Sequence, residues 1–300
     1  MYKNYGKVRE LIDILKRIRP MRKIEVSVYG MRRESYEAIT RNAGSYDAAF
    51  RGIKLLMENN IPFVVKGVVL PPNKHELDYL ERWSQSLPWM NEPFSATIFL
   101  DLRARRDSEV KNERIRNLRL PPESCLAFMF RRPFEFLKEM KFFYSKFLLA
   151  PTDRLFICRA GCMSCCLDAY GYVQACLPLR HPKTVFNIKE FTLREGLSEF
   201  FPRLRKMRAT NEVFLARCAR CFLRSSCEQC PGRSWRENGT LDTPVEYRCK
   251  ITHILARFLK LLNKDEHGWE IREWKERVNK FCEASFDEEI ITKAGLLKIN

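Results

Sequence analysis

The sequence predicts an α/β chain in two parts, an α/β unit with a helical connection over residues 1–150 and a small cysteine-rich domain over 151–255, followed by a helical tail over 256–300. Two observations carry this. In the first part, β-rich runs and runs of helical apolar spacing follow one another in alternation, the pattern of a sheet joined by right-handed helical crossovers. In the second, ten of the twelve cysteines fall between Cys158 and Cys249.

The elements follow in order. Val8, Leu11, Ile12, Leu15 and Ile18 recur at helical spacing, so residues 5–18 read as an amphipathic helix. Lys23 to Tyr29 reads as a strand. Ser45 is placed to cap a helix whose apolar face is Tyr46, Ala49, Phe50, Ile53 and Leu56. Phe63 to Leu70 reads as a strand apolar on both faces, as in a parallel sheet covered by helices. Lys66 interrupts it, either as an ordinary polar position or in a paired or functional role, since a charge buried without a partner is costly. Asn73 with Glu76 reads as a helix start, and Phe94 to Leu102 as a third strand. Residues 251–263 and Trp269 to Phe281 read as amphipathic helices that pack on the core and not on a membrane.

The cysteines form two blocks. The first runs Cys158-x3-Cys162-x2-Cys165-Cys166, with Cys176 beyond Gly171; the second runs Cys218-x2-Cys221-x5-Cys227-x2-Cys230, with Cys249 isolated. A Cys-x2-Cys turn brings two sulfurs onto one centre, and these blocks hold more sulfur than one tetrahedral ion uses, which predicts two thiolate-ligated centres. A chain of 300 residues with 45% hydrophobic content builds its own core without disulfide staples. It shows no apolar leader and no segment near the roughly 18 continuous apolar residues of a membrane span. Reduced thiols in the cytoplasm are therefore expected. All-cysteine ligation suits zinc or iron–sulfur alike. Cys125 and Cys282 lie outside both blocks and read as ordinary thiols.

The series Cys158-x12-Gly171-x4-Cys176, Cys218-x2-Cys221-x5-Cys227-x2-Cys230 and Cys249 resembles the SPASM domain, the C-terminal extension of radical SAM enzymes that modify peptides and proteins. That pattern usually has three residues where this chain has Glu228 and Gln229. The resemblance covers about residues 155 to 255 and implies two auxiliary [4Fe–4S] clusters. Cys158, Cys176 and Cys230 would hold the first, with a fourth ligand from the Cys162 to Cys166 group, Cys162 being the first choice. Cys218, Cys221, Cys227 and Cys249 would hold the second. Upstream, Ser27-Val-Tyr-Gly, Glu34-Ser-Tyr-Glu-Ala-Ile-Thr, Gly44-Ser-Tyr and Asn73-x-x-Glu-Leu resemble, in order and spacing, the second half of a radical SAM partial barrel. Ser27 and Arg41 lie near where family members contact S-adenosylmethionine. Where sulfatase-maturing relatives carry a catalytic aspartate, this chain has Leu177, which speaks against that activity.

One family element is missing. The Cys-x3-Cys-x2-Cys that holds the catalytic cluster is absent, as no cysteine precedes Cys125. The resemblance therefore implies half a barrel, whose remainder is a separate polypeptide, a lost segment or a stretch left out by a misplaced start, and S-adenosylmethionine chemistry is expected only where a partner completes it. An isolated half barrel would leave strand 23–29 as an apolar edge, an aggregation template unless covered. The competing classes are a non-enzymatic iron–sulfur electron-transfer or binding module and a zinc-stabilised binding protein. Composition adds a bias: 54 Lys and Arg against 37 Asp and Glu give a formal charge of +17. Two clusters with four thiolates each would lower it to about +13. The excess suits an acidic partner such as a peptide substrate. The basic residues are spread out and form no nucleic-acid reading motif.

Overall fold

Three parallel strands in sequential order, β1 (Ile24–Val28), β2 (Phe63–Val68) and β3 (Ser95–Thr97), organise the first part of the chain. The computed structural model describes residues 5–18, 20–284 and 292, and of residues 5–9 the backbone alone. Before β1 runs α1 (Tyr5–Arg17); between β1 and β2 lie α2 (Arg33–Thr40) and α3 (Ser45–Glu58); a 3₁₀ turn (Lys74–Glu76) and α4 (Leu77–Gln85) lead to β3. The register Ile24↔Phe63 and Lys66↔Ser95 sets two faces. Val28, Phe63 and Val65 are buried on one. On the other, Glu25, Ser27, Lys66, Ser95 and Thr97 are exposed. The sheet expected to be covered on both faces is thus covered on one. Lys66 does find a partner, Glu25 Oε1 at 2.5 Å, in the open.

Two expected caps are built differently. Ser45 is already helical, and Gly44 precedes it with φ of 80°. Asn73 caps no helix: it is buried, accepts from the Leu70 N–H, and donates to Tyr29 O and Val68 O, each at 2.8 Å. It ties the chain leaving β1 to the chain leaving β2. Glu76 takes the N–H groups of Met31 at 2.5 Å and Arg32 at 3.0 Å, and the Ser35 hydroxyl, so it supplies from a distance the cap that α2 lacks.

The chain forms two compact units that divide near residue 100. The first unit runs to Leu100 and regains Leu118–Leu120, where Arg119 donates to Leu100 O. The connecting helices α5 (Glu109–Asn117), α6 (Pro122–Met129) and α7 (Pro133–Phe147) belong to the second. The reason is packing. Leu126, Phe130, Leu137 and Tyr144 of α6 and α7 share one core with α12 (Glu246–Phe258) and α13 (Trp274–Glu283). The C-terminal helices therefore pack here, and α12 begins before the expected tail. Residues 285–291 and 293–300 of that tail lie outside the described ones.

The second sheet is antiparallel: β4 (Cys166–Leu167), β5 (Tyr172–Gln174) and β6 (Val185–Asn187). Beyond it come α8 (Leu193–Glu195), a π-helical turn (Gly196–Phe200) and α9 (Phe201–Arg205), then a second π turn (Phe214–Cys218), α10 (Arg224–Cys227) and α11 (Pro231–Asn238). Phe156, Val173, Phe186, Phe201 and Phe214 are buried as their core. Thr192 and Glu195 close a reciprocal capping box at α8. Pro231 opens α11 and Gly239, at φ 76°, ends it. Among the described residues no helix is long and apolar enough to cross a membrane.

Candidate metal centre

The hairpin β4–β5 gathers the first set of thiols. Its tip turns through Asp168, whose carboxylate accepts from the Tyr170 and Tyr172 N–H groups at 2.9 and 3.0 Å. Gly171, at φ 87°, makes the return that other residues resist. The register Cys166↔Gln174 then brings Cys166 back alongside the strand that leads into Cys176. Arg205 fixes the preceding loop by donating to Cys158 O and Ala160 O at 2.8 and 2.9 Å. Cys230, at the start of α11, completes the group. Burial pushes the Cys176 thiol up to about 11, and the neighbouring Cys230, Cys158 and Cys166 push in the same direction. Cys162 and Cys165 are exposed on the loop before β4.

The second set lies deeper. Cys218 closes the second π turn, Cys221 follows in a turn in which its carbonyl accepts from Arg224 N, Cys227 ends α10, and Cys249 stands one turn into α12. Burial raises Cys218 to about 12, with Cys227 and Cys249 adding to it and Arg224 and Arg217 opposing. Burial likewise raises Cys221 well above the usual thiol range, with Cys227, Cys249 and Cys218 adding to it. Cys227 rises to about 11, again first through burial. Among the described residues, no three Cys, His, Asp or Glu side chains converge closely enough to hold a single metal ion. The two sets are neighbourhoods of thiols, not closed ion cages.

Arginines surround both sets. Arg233 and Arg236 share Asp101 Oδ2 at 3.2 and 3.1 Å, and Arg233 and Arg248 share Glu228. Those three side chains are balanced by two carboxylates. Arg224 is not. It is 3% exposed and donates only to backbone carbonyls, Thr152 O and Arg154 O at 2.7 Å and Leu155 O at 3.0 Å, while its guanidinium lies 4.8 Å from the Phe214 ring. Its Nε is buried without a partner. Burial lowers its pKa, and the charges that oppose this are Cys218, Cys227, Cys230 and Cys221, thiols of both sets. A buried cation whose neighbours are thiols favours their anionic form. This residue was missed in the sequence; its one signal was a lone charge after Phe222-Leu223 inside a cysteine block.

The remaining candidates lie elsewhere. Ser27 is exposed on the open face of the parallel sheet, and Arg41 is the exposed left-handed C-cap of α2, at φ 54°. No hydrogen bond or ion pair among the described residues joins the two. Cys125 is buried 3.9 Å from the Tyr247 hydroxyl, and Cys282 donates to Lys141 O, so neither belongs to a thiol set. No protein family, curated protein or solved structure matches the chain.

Proposed function

We propose that the chain binds two [4Fe–4S] clusters and serves as the C-terminal portion of a radical SAM/SPASM-type enzyme that modifies peptides or proteins in a reducing compartment. The observation that carries this reading is the sorting of the thiols. Cys227 and Cys230 are three residues apart in sequence, yet Cys227 neighbours Cys218, Cys221 and Cys249, whereas Cys230 neighbours Cys176. That interleaving is the one the family pattern implies. The fourth ligand of the first cluster we assign to Cys166, which acts on Cys176, in place of Cys162.

A cluster and a zinc ion differ in the spacing they ask of their thiols. A tetrahedral ion with Zn–S bonds of about 2.3 Å draws its sulfurs to about 3.8 Å of one another. A four-iron cube takes one thiolate at each of four corners and spreads them wider. When bound, such clusters supply one-electron transfer. The buried Arg224 offsets part of their negative charge.

The first unit supports the partner half of the reading. Parallel sheets are ordinarily covered on both faces, and this one leaves a polar face open. Among the described residues β1 is also an edge strand. Further strands from a partner would pair that edge and enclose Ser27 and Lys66, and S-adenosylmethionine would bind only in the completed site.

Anaerobic reconstitution of the full chain tests the proposal. About eight iron and eight sulfide per chain are expected. Cys227→Ala and Cys230→Ala should each remove about four irons, and the double substitution about eight, since each centre loses its own ligand. A colourless protein with stoichiometric zinc and no sulfide would sink the reading, as would a double variant no poorer in iron than the singles. With S-adenosylmethionine and a strong reductant, the chain alone should form no 5′-deoxyadenosine above background. Robust formation would overturn its dependence on a partner.

A further inference from the structure

Cys249 differs from the other thiols of its set in what points at its sulfur. Arg217 Nη2 lies 3.6 Å from the Cys249 Sγ, and His253 Nδ1 lies 3.5 Å from it. Both groups are held in place. Glu246 takes two N–H bonds from Arg217, at 2.8 and 3.1 Å. The Trp269 ring packs against both donors, 4.7 Å from the Arg217 guanidinium and 5.1 Å from the imidazole of His253. The tautomer of His253 follows from its bonds. The Gly268 N–H donates to Nε2 at 3.1 Å, so Nε2 is the acceptor and the proton resides on Nδ1. That Nδ1–H is shared between Cys249 O at 2.9 Å and the sulfur.

A thiolate that accepts N–H bonds from such fixed donors surrenders part of its charge to them. The extra negative charge of a reduced cluster is then more easily borne, so donors of this kind raise a cluster's reduction potential. We infer that Arg217 and His253 are positioning residues that raise the potential of the cluster held by Cys218, Cys221, Cys227 and Cys249, and so set it apart from its neighbour. The inference rests on the iron–sulfur reading above.

Redox titration of the reconstituted full chain, followed by electron paramagnetic resonance with iron and sulfide counts, tests it. Arg217→Gln and His253→Gln should retain the full iron complement. In each, one cluster should become harder to reduce, with its reduced-to-oxidised ratio at a fixed potential falling about tenfold, a shift of about 59 mV for one electron. The other cluster should keep its potential, and Arg217→Lys, which keeps a charged donor, should recover part of the shift. If a glutamine variant loses iron, Arg217→Lys alone carries the comparison and should show a smaller downward shift. Intact clusters with unchanged potentials, or equal shifts in both, overturn the inference while leaving the cluster assignment standing. A wild-type chain that takes up no iron and sulfide overturns both.

Discussion

Replacing Arg224 by methionine isolates the contribution of the one buried guanidinium, among the described residues, that has no carboxylate. Methionine keeps most of the volume and the contact with Phe214. What is lost is three hydrogen bonds, to Thr152 O and Arg154 O at 2.7 Å and to Leu155 O at 3.0 Å. Each of these bonds from a charged donor, one to a buried carbonyl and two to part-buried ones, costs about 1–3 kcal/mol when lost. Against this stands the relief of no longer burying a cation, which is why the lower end is taken for each bond. The net destabilisation is then about 3 kcal/mol. The place to read it is the contact between the Asp153–Leu155 segment and the Met207–Ala209 segment, where Leu155 N donates to Met207 O and Ala209 N to Asp153 O. Amide hydrogen exchange of the metal-free protein should accelerate about a hundredfold at Leu155 and Ala209, since about 1.4 kcal/mol is a factor of ten. Arg224→Lys keeps the charge but reaches fewer carbonyls, and should fall between. A change below tenfold at both amides, in a variant whose helices are intact, would refute the account of Arg224 as the anchor of this segment. Because its charge reaches thiols of both sets, the methionine variant should, on the proposed iron–sulfur reading, also hold iron more weakly at both centres.

Three further outcomes are expected. Gly196→Ala would place a Cβ 1.9 Å from Phe186 Cζ inside a packed core, so it should destabilise the second unit by about 1–3 kcal/mol, read as a lowered melting temperature. Asn73→Leu removes the bonds that join the ends of β1 and β2, and should cost about 2–4 kcal/mol, read by urea denaturation; a loss under about 1 kcal/mol would show that the tie is dispensable. Asp101 titrates below 3.8 because, although burial pushes it up, Arg233, Arg236 and Arg248 push it down further. A carboxylate whose folded pKa is depressed stabilises the fold above the unfolded value, and that stability disappears as pH falls through the folded one. Wild-type protein should therefore exceed Asp101→Asn in urea stability at pH 7, and the two should converge as the pH falls from the unfolded carboxylate value through the lower folded one. Curves that stay parallel across that range would remove Asp101 from the arginine network.

Local rules account for what was legible in the chain. Apolar spacing gave α1 and α3, and β-rich runs gave β1 and β2, each within one or two residues, because both depend on side chains near in sequence. The antiparallel hairpin around Gly171 was not read from the sequence; the positive φ of Gly171 and the register of β4 on β5 are what bring Cys166 alongside the strand leading into Cys176. Caps failed where the partner came from far away. Asn73 and Glu76 have the residue types of a helix start, but their side chains satisfy backbone groups 44 and 45 residues distant, at Tyr29 and Met31.

The cysteine spacing by itself determined that the thiols fall in two blocks with more sulfur than one ion uses; only the family resemblance assigned Cys227 and Cys230 to different centres, since local turn geometry alone would give a Cys-x2-Cys pair one centre. Tertiary packing decided the rest. It chose Cys166 over Cys162 as the neighbour of Cys176, through the register of β4 on β5. It packed α6 and α7 into one core with α12 and α13. And it aimed Arg224, Arg217 and His253 at the thiols. Spacing along a chain constrains which atoms are near in sequence. Which charge is buried beside which sulfur depends on where the apolar faces of distant helices close, and that is set only when the whole core packs.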